Sequence, residues 1–90
     1  MARFKVKYIF TLTDLGQVLA GEILEGEVSA GDLIRVLVND SALIIRIKSV
    51  ELINDKGKTD IGLLIGFLDK DVQEKLEVIA GRPVSIVKTH

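Results

Sequence analysis

Apolar and polar residues alternate along the first dozen positions of this chain, which predicts a β-strand. Lysines and threonines stand between the apolar residues, and the period of two is broken only by Ile9. Because successive side chains of a strand point to opposite faces, the apolar residues, aromatic rings included, are expected on one buried face. The apolar positions in this phase are Phe4, Val6, Tyr8, Phe10 and Leu12.

Similar alternation predicts further strands, each bounded by turn-forming residues. In the longest extended segment, residues 42 to 54, the inward apolar residues change from odd to even positions near Lys48, which favours a β-bulge there. The strand that begins at Ile61 has Phe67 as its last inward position and is expected inside the sheet, because its glycines allow close packing. Asp69 is placed to cap a single helical turn over residues 69 to 75. The later predicted strands cover residues 17 to 25, 33 to 38, 42 to 54, 61 to 67, 76 to 79 and 84 to 87.

Four glycines, Gly16, Gly21, Gly26 and Gly31, are spaced five residues apart. A glycine between strands supplies the positive φ of tight turns, and one inside a strand marks a bend or a close approach of another backbone. We therefore predict turns at Gly16, Gly26 and Gly31 and a bend at Gly21. A pentapeptide solenoid, which the same spacing suggests, is disfavoured because the period stops at Gly31.

The size of the chain limits it to one core. Its 90 residues are enough for one domain, taken as residues 1 to 90. Hydrophobic residues make up 48% of the chain, which is typical of a globular protein rather than a disordered one. A sheet of this size that bends so often can bury its apolar face by closing on itself. The expected fold is all-β, a small closed antiparallel barrel of six to seven strands.

The glycine-rich run extends into a longer motif, Gly16-x-Val18-x-x-Gly21-x-Ile23-x-x-Gly26-x-Val28-x-x-Gly31-Asp32-x-Ile34. This motif resembles the signature of the second domain of translational GTPases, the β-barrel that follows the nucleotide domain in elongation factor Tu. Residues 47 to 51, 61 to 67 and 69 to 72 resemble later blocks of that domain. The resemblance covers roughly residues 4 to 80 and implies a Greek-key barrel. In different members of the family this barrel holds the aminoacyl end of tRNA or rests on ribosomal RNA.

The chain departs from the family pattern in ways that bear on function. Leu15 and Glu22 stand where the family usually has basic residues, and Thr59 and Asp60 replace a Gly-Asp pair. No G-x-x-x-x-G-K-[ST] phosphate loop is present, so no nucleotide binding is expected. The resemblance therefore implies an RNA or ribosomal partner without GTPase activity.

Twelve basic and thirteen acidic residues give a net charge of -1, so any site for a polyanion must be a local patch. The candidates for RNA contact fall into two groups on outward phases, and they form one basic strip if their strands are neighbours. Alternatively, these cations only keep the sheet soluble. The inward phase assigned to the aromatic rings favours that alternative, since strand-based RNA modules use exposed rings. The two groups are Arg3, Lys5 and Lys7, and Arg46 and Lys48.

A second set of outward positions is apolar, and a small barrel cannot turn both faces inside. A second copy of the chain or another protein is the expected cover, because contiguous exposed apolar patches mark interaction sites. This predicts a protein-interaction or self-associating module as the alternative function. The residues of the set are Ile9, Leu33, Leu37, Leu64, Leu68 and Val87.

Catalytic chemistry has little support in the sequence. There is no cysteine, and the only histidine, His90, is the last residue. Serines without a histidine base are not activated as nucleophiles, and the acids between residues 69 and 77 are typical of a solvated turn. We expect no catalytic residue, metal or cofactor. The longest nearly apolar run, residues 61 to 68, is too short to span a bilayer, and a cytoplasmic location is expected.

Overall fold

A computed structural model describes residues 2 to 89, with Asp55 described by its backbone alone; the expectation for His90 lies outside these residues. The chain forms seven antiparallel strands in one sheet and one short helix. In chain order the elements are β1 (Ala2–Leu12), β2 (Gly16–Glu25), β3 (Leu33–Val38), β4 (Ser41–Arg46), β5 (Ser49–Asp55), β6 (Lys58–Gly66), α1 (Lys70–Glu77) and β7 (Pro83–Val87). The spatial order is β4-β3-β7-β1-β2-β6-β5, which makes β1 the middle strand and confirms the all-β prediction.

Two-residue turns close the hairpins β3-β4 and β5-β6. Asn39 and Asp40 have φ values of 52° and 67°, and Lys56 and Gly57 have values of 50° and 82°. Positive φ at both central residues is the geometry of a type I′ turn, whose twist matches that of the flanking strands. The turn residues thereby set the register of both hairpins. Val38 lies opposite Ser41 in the first hairpin, and Asp55 lies opposite Lys58 in the second.

One face of the sheet packs into a hydrophobic core, and we call the opposite side the outer face. Leu76 in the last turn of α1 and Ile79 just after it are buried in this core. The expected strand over residues 76 to 79 is therefore wrong, because a short apolar run fits the buried end of a helix as well as a strand. Asp69 precedes α1 but makes no capping hydrogen bond through its side chain. No helix among the described residues is long and apolar enough to cross a membrane.

The middle strand β1 changes phase along its length. Its pairing with β2 shifts register between Val6 and Tyr8. Val6 is fully buried, Tyr8 is 39% exposed, and Ile9 packs against the core. The prediction that Tyr8 and Phe10 face inward is therefore wrong, because the irregularity reverses the alternation after Val6.

The alternation of inward and outward side chains also ends earlier than expected in β6. Gly66 closes this strand with a φ of 83°, and the chain then leaves the sheet. Phe67, expected inward, is consequently exposed, whereas Leu68, expected outward, packs partly buried against the core. The strand itself pairs with β2 on one side and β5 on the other, so its interior position is confirmed.

The glycine-rich segment lies where the chain turns or two backbones meet. Gly16, Gly26 and Gly31 have φ values of 108°, 75° and 93° and lie at the ends of strands or between them. Gly21 lies inside β2 and is buried, and a Cβ there would overlap the main-chain carbonyl oxygen of Lys5. The approach of β2 to β1 therefore requires the absence of a side chain at this position.

The sheet curls but is not closed. Its edge strands β4 and β5 are consecutive in the chain and are separated only by Ile47 and Lys48. Ile47 N–H donates to Asp32 O over 2.9 Å, and Lys48 N–H donates to Leu64 O over 2.7 Å. The expected β-bulge near Lys48 is thus a corner at which the chain changes pairing partner from β3 to β6. Because β4 and β5 do not pair with each other, the sheet has two open edges, and the closed barrel expected from the sequence stays a prediction.

Candidate binding surface

The outer face of β1 combines cations with aromatic rings. Arg3 and Lys5 are exposed on this face, opposite the buried Phe4. After the register shift, Tyr8 and Phe10 also lie on it, stacked with ring centroids 6.0 Å apart and planes at 28°. The backbone of Arg3 and Lys5 is held by ladders with both β2 and β7, and that of Tyr8 and Phe10 by the ladder with β2. The arrangement can bind a phosphate and present an aromatic surface to a base.

Acidic side chains lie beside the cations of β1 on the β2 side. Arg3 Nε is 3.9 Å from Glu25 Oε1, and both side chains are largely exposed. Lys7 Nζ donates to Asp60 Oδ1 over 3.1 Å, and the Tyr8 hydroxyl donates to Asp60 Oδ2 over 3.4 Å. The hydrogen bond and charge of Asp60 raise the pKa of Lys7 above its ordinary value. These contacts neutralise part of the positive charge towards β2.

On the β7 side, none of the outer positions of the described strands β7, β3 and β4 is acidic. Arg3 lies opposite Ser85 of β7, and Ser85 in turn lies opposite Arg35 of β3. Paired residues share a face, so Arg35 extends the cationic row of β1 across two further strands. The outer positions on these three strands are Pro83, Ser85 and Val87 on β7, Leu33, Arg35 and Leu37 on β3, and Ala42, Ile44 and Arg46 on β4.

The predicted basic groups are therefore not on neighbouring strands. Two strands, β7 and β3, separate Arg46 from β1. Arg46 Nη1 donates to Gly31 O over 3.1 Å, and Lys48 lies at the corner with its side chain against Gly66. Arg35, which was not among the predicted contacts, bridges the gap between β1 and Arg46. Arg35 stands between the inward-facing Ile34 and Val36 in the sequence, and this alternation predicts an outward position for its side chain.

The predicted apolar set is divided between several places. Leu37 is 60% exposed, and Val87 and the half-buried Leu33 accompany it on the outer face. Ile44, absent from the predicted set, is 58% exposed beside them on β4. Ile9 packs partly buried against the core instead of pointing outward.

Leu64 belongs to a separate apolar groove on the other half of the outer face. It lies directly opposite Val18, which is buried but is not part of the core cluster. The groove encloses about 350 Å³ at the end of the β1-β2 hairpin. Its apolar lining residues are Phe10, Leu12, Leu15, Val18, Leu52, Ile53 and Leu64.

An ion pair between a buried carboxylate and a partly exposed lysine fixes the loop before β3 to the residues that follow β7. Asp32 accepts from Lys88 Nζ over 2.7 Å and from the Ser29 main-chain N–H over 2.8 Å. The Lys88 hydrogen bond is the main reason that the pKa of Asp32 is lowered, burial opposes it, and the N–H of Ser29 adds to it. The sequence motif placed Asp32 after Gly31, but nothing in the pattern identified Lys88 as its partner.

The described residues contain no metal-binding cluster of three or more histidines, cysteines or acids. Comparison of the chain with family models, curated proteins and solved structures gives no significant match. The candidate site is thus defined by the chemistry of the outer face alone.

Proposed function

We propose that this protein is a non-enzymatic binding module that holds single-stranded RNA on the outer face of its sheet. The observation that carries the proposal is the presence of Arg3, Lys5, Tyr8 and Phe10 on one face of the middle strand. Cations bind phosphates without regard to sequence, and aromatic rings stack on bases. The absence of exposed rings was the reason for doubting an RNA partner, and the register shift in β1 removes that reason.

We further infer that the curled sheet is a Greek-key barrel of the elongation-factor second-domain type that functions in the translation machinery of the cytoplasm. The inference is supported by the glycine-spaced motif and by the corner at Ile47 and Lys48. There the Gly31 N–H donates to Ile47 O over 2.8 Å, while Lys48 bonds to Leu64 at the other end of the sheet. Main-chain hydrogen bonds thus bridge both ends of the sheet at one point, which is the start of closure.

The test is fluorescence anisotropy with a labelled 12-nucleotide RNA of mixed sequence at several salt concentrations. Two to three phosphate contacts give a slope of log K against log salt of about −1.4 to −2.1. Lys5→Gln is expected to make this slope shallower by about 0.7. Tyr8→Ala is expected to weaken binding by about 5-fold to 100-fold with the slope unchanged, because it removes a stacking ring and no charge.

Two variants control this experiment. Tyr8→Phe keeps the ring but loses the hydrogen bond to Asp60, so it should bind as the unaltered protein does. Lys70→Gln removes an exposed cation on α1, which packs into the core through Leu76 and not on the outer face, and should change neither affinity nor slope. Equal losses of RNA affinity in Lys70→Gln and Lys5→Gln would contradict the proposal, as would the absence of RNA binding at low salt.

The alternative function is self-association or protein binding through the apolar part of the same outer face. The supporting observation is the cluster of Leu37, Ile44 and Val87 on three successive strands, all of them exposed. Light-scattering mass at two salt concentrations, with and without RNA, distinguishes the two. A dimer insensitive to salt and RNA, dissociated by Leu37→Asp with the fold intact, would favour the apolar surface. A monomer that forms an RNA complex only at low salt supports RNA binding.

A further inference from the structure

A cavity of about 310 Å³ opens on the sheet between β3 and β7. Arg35 borders it from β3 and Arg82 from the turn that precedes β7. Ser85 of β7 also lines the cavity, directly opposite Arg35 in the ladder. The remaining lining residues are Val36, Leu37, Pro83 and Val84.

The cavity carries two positive charges that have no bonded counter-ion in the described part of the chain. Within residues 2 to 89, neither the Arg35 nor the Arg82 guanidinium makes a hydrogen bond or an ion pair. No carboxylate lines the cavity, and the Ser85 hydroxyl likewise has no hydrogen-bond partner among those residues. Two guanidinium groups and a hydroxyl supply only donors towards an anion, and guanidinium geometry matches the oxygens of a phosphate.

The backbones that carry these donors are fixed. The Arg82 N–H donates to Ile79 O over 2.9 Å, and Arg82 O accepts from the Val6 N–H over 3.0 Å. Arg35 lies in β3, which is paired with both β4 and β7. An anion that binds here does not need to order the main chain, which reduces the entropy cost of binding.

We propose that this cavity binds a phosphate group and that, given the proposed function, the group is a phosphodiester of the bound RNA. The row Arg35, Ser85 and Arg3 joins the cavity to the outer face of β1 across three paired strands. Adjacent strands lie about 4.8 Å apart, so the Arg35 and Arg3 backbones flank Ser85 at about 10 Å from each other. An RNA strand whose sugar-phosphate backbone crosses β1 can therefore place one phosphate over Ser85.

The test has two measurements on the full chain. In the first, inorganic phosphate is titrated against ¹⁵N-labelled protein at constant ionic strength, with chloride as the reference anion. The Nε–H signals of Arg35 and Arg82 and the Ser85 amide are expected to shift and saturate together. Arg35→Gln and Arg82→Gln should each weaken phosphate binding at least about 5-fold. In the second, the RNA salt slope of Arg35→Gln should become shallower by about 0.7, and Lys70→Gln should leave it unchanged.

The outcomes separate this proposal from RNA binding in general. RNA binding with an unchanged salt slope in Arg35→Gln would overturn the phosphate subsite and leave the proposed function standing. Saturating shifts at the cavity without any RNA binding would keep the phosphate group as the ligand but overturn RNA as its source, together with the proposed function. Shifts no larger than those of the exposed Arg46, or shifts equal to those with chloride, would overturn the subsite itself.

Discussion

Replacing Lys88 by methionine tests how strongly the ion pair with Asp32 stabilises the fold. Asp32 is fully buried, while the Lys88 side chain is 36% exposed, and Nζ to Oδ2 is 2.7 Å. Lys88 Nζ also donates to Glu27 O over 3.3 Å. Lys88→Met keeps the apolar stem, leaves the carboxylate with the Ser29 N–H and removes its cation.

The expected loss follows from the burial of each partner. A hydrogen bond between charged groups contributes about 1.5 to 3 kcal/mol, and breaking a fully buried ion pair costs about 3 to 5 kcal/mol. Because Lys88 is partly hydrated, the loss for this pair is expected within the range of a charged hydrogen bond and not in that of a fully buried ion pair. We therefore expect the free energy of unfolding at pH 7 to fall by about 2 kcal/mol. For a domain of this size that corresponds to a melting temperature lower by about 8 to 16 °C.

The loss should also depend on pH. Because Lys88 lowers the pKa of Asp32 in the folded state, the pair stabilises fully above the pKa of an unfolded aspartate, about 3.9. Its contribution disappears as pH falls through the lower, folded-state value. In Lys88→Met the unpaired carboxylate is destabilising until it is protonated. The difference between the two proteins is therefore largest near pH 7 and narrows below about pH 4.

The measurement is urea unfolding followed by far-UV circular dichroism at pH 7, 5 and 3, since the chain has no tryptophan. Lys70→Met is the matched control, because Lys70 is exposed and makes no ion pair within the described residues. It should change the free energy of unfolding by less than about 0.5 kcal/mol. The reasoning would be refuted if Lys88→Met lowered the free energy of unfolding by no more than the control variant does. An equal loss of this free energy at pH 7 and pH 3 would also refute it.

Two further substitutions test the packing of β2 and the charge of β1. Gly21→Ala should destabilise the protein by about 2 kcal/mol or more, because its Cβ meets the main chain of Lys5. Gly62→Ala meets only side-chain atoms, those of Ile53 and Val18, and should cost less; comparable urea midpoints would contradict this. Asp60→Asn should lower the pKa of Lys7 towards its ordinary value, measured by NMR titration of the lysine Cε signals, and an unchanged pKa would disprove the assigned cause.

Local signals in the sequence predicted much of the sheet. The turn residues Asn39, Asp40 and Gly57 favour left-handed conformations on their own, so the hairpins they form could be placed without knowledge of the fold. The same holds for β3, whose bounds coincide with the predicted residues 33 to 38. The partner of Lys48 after the corner could not be predicted, because strand order depends on contacts between residues distant in the chain.

The candidate surface was harder to predict than the strands. Ile9 breaks the alternation of apolar and polar residues in β1. A single interruption does not show whether the residues after it keep the same inward phase or change to the other face. Hydrophobicity favours the phase of Tyr8, Phe10 and Leu12 over that of Ile9 and Thr11, so the sequence pattern alone predicts the wrong face. The pairing with β2 decides, since Tyr8 lies opposite Ala20 and Ile9 opposite the core residue Leu19.

The distribution of charge around β1 limits how a polyanion can approach. Glu25 and Asp60 lie on the β2 side of the strand, whereas the outer positions of β7, β3 and β4 include no acid. With a net charge of -1, the whole molecule exerts no long-range attraction on a polyanion, so under the proposed function the local gradient across the sheet orients the RNA. The phosphates are therefore expected towards Ser85 and Arg35, and the bases towards the stacked rings. This polarity makes the aromatic pair and the arginine cavity two ends of one surface.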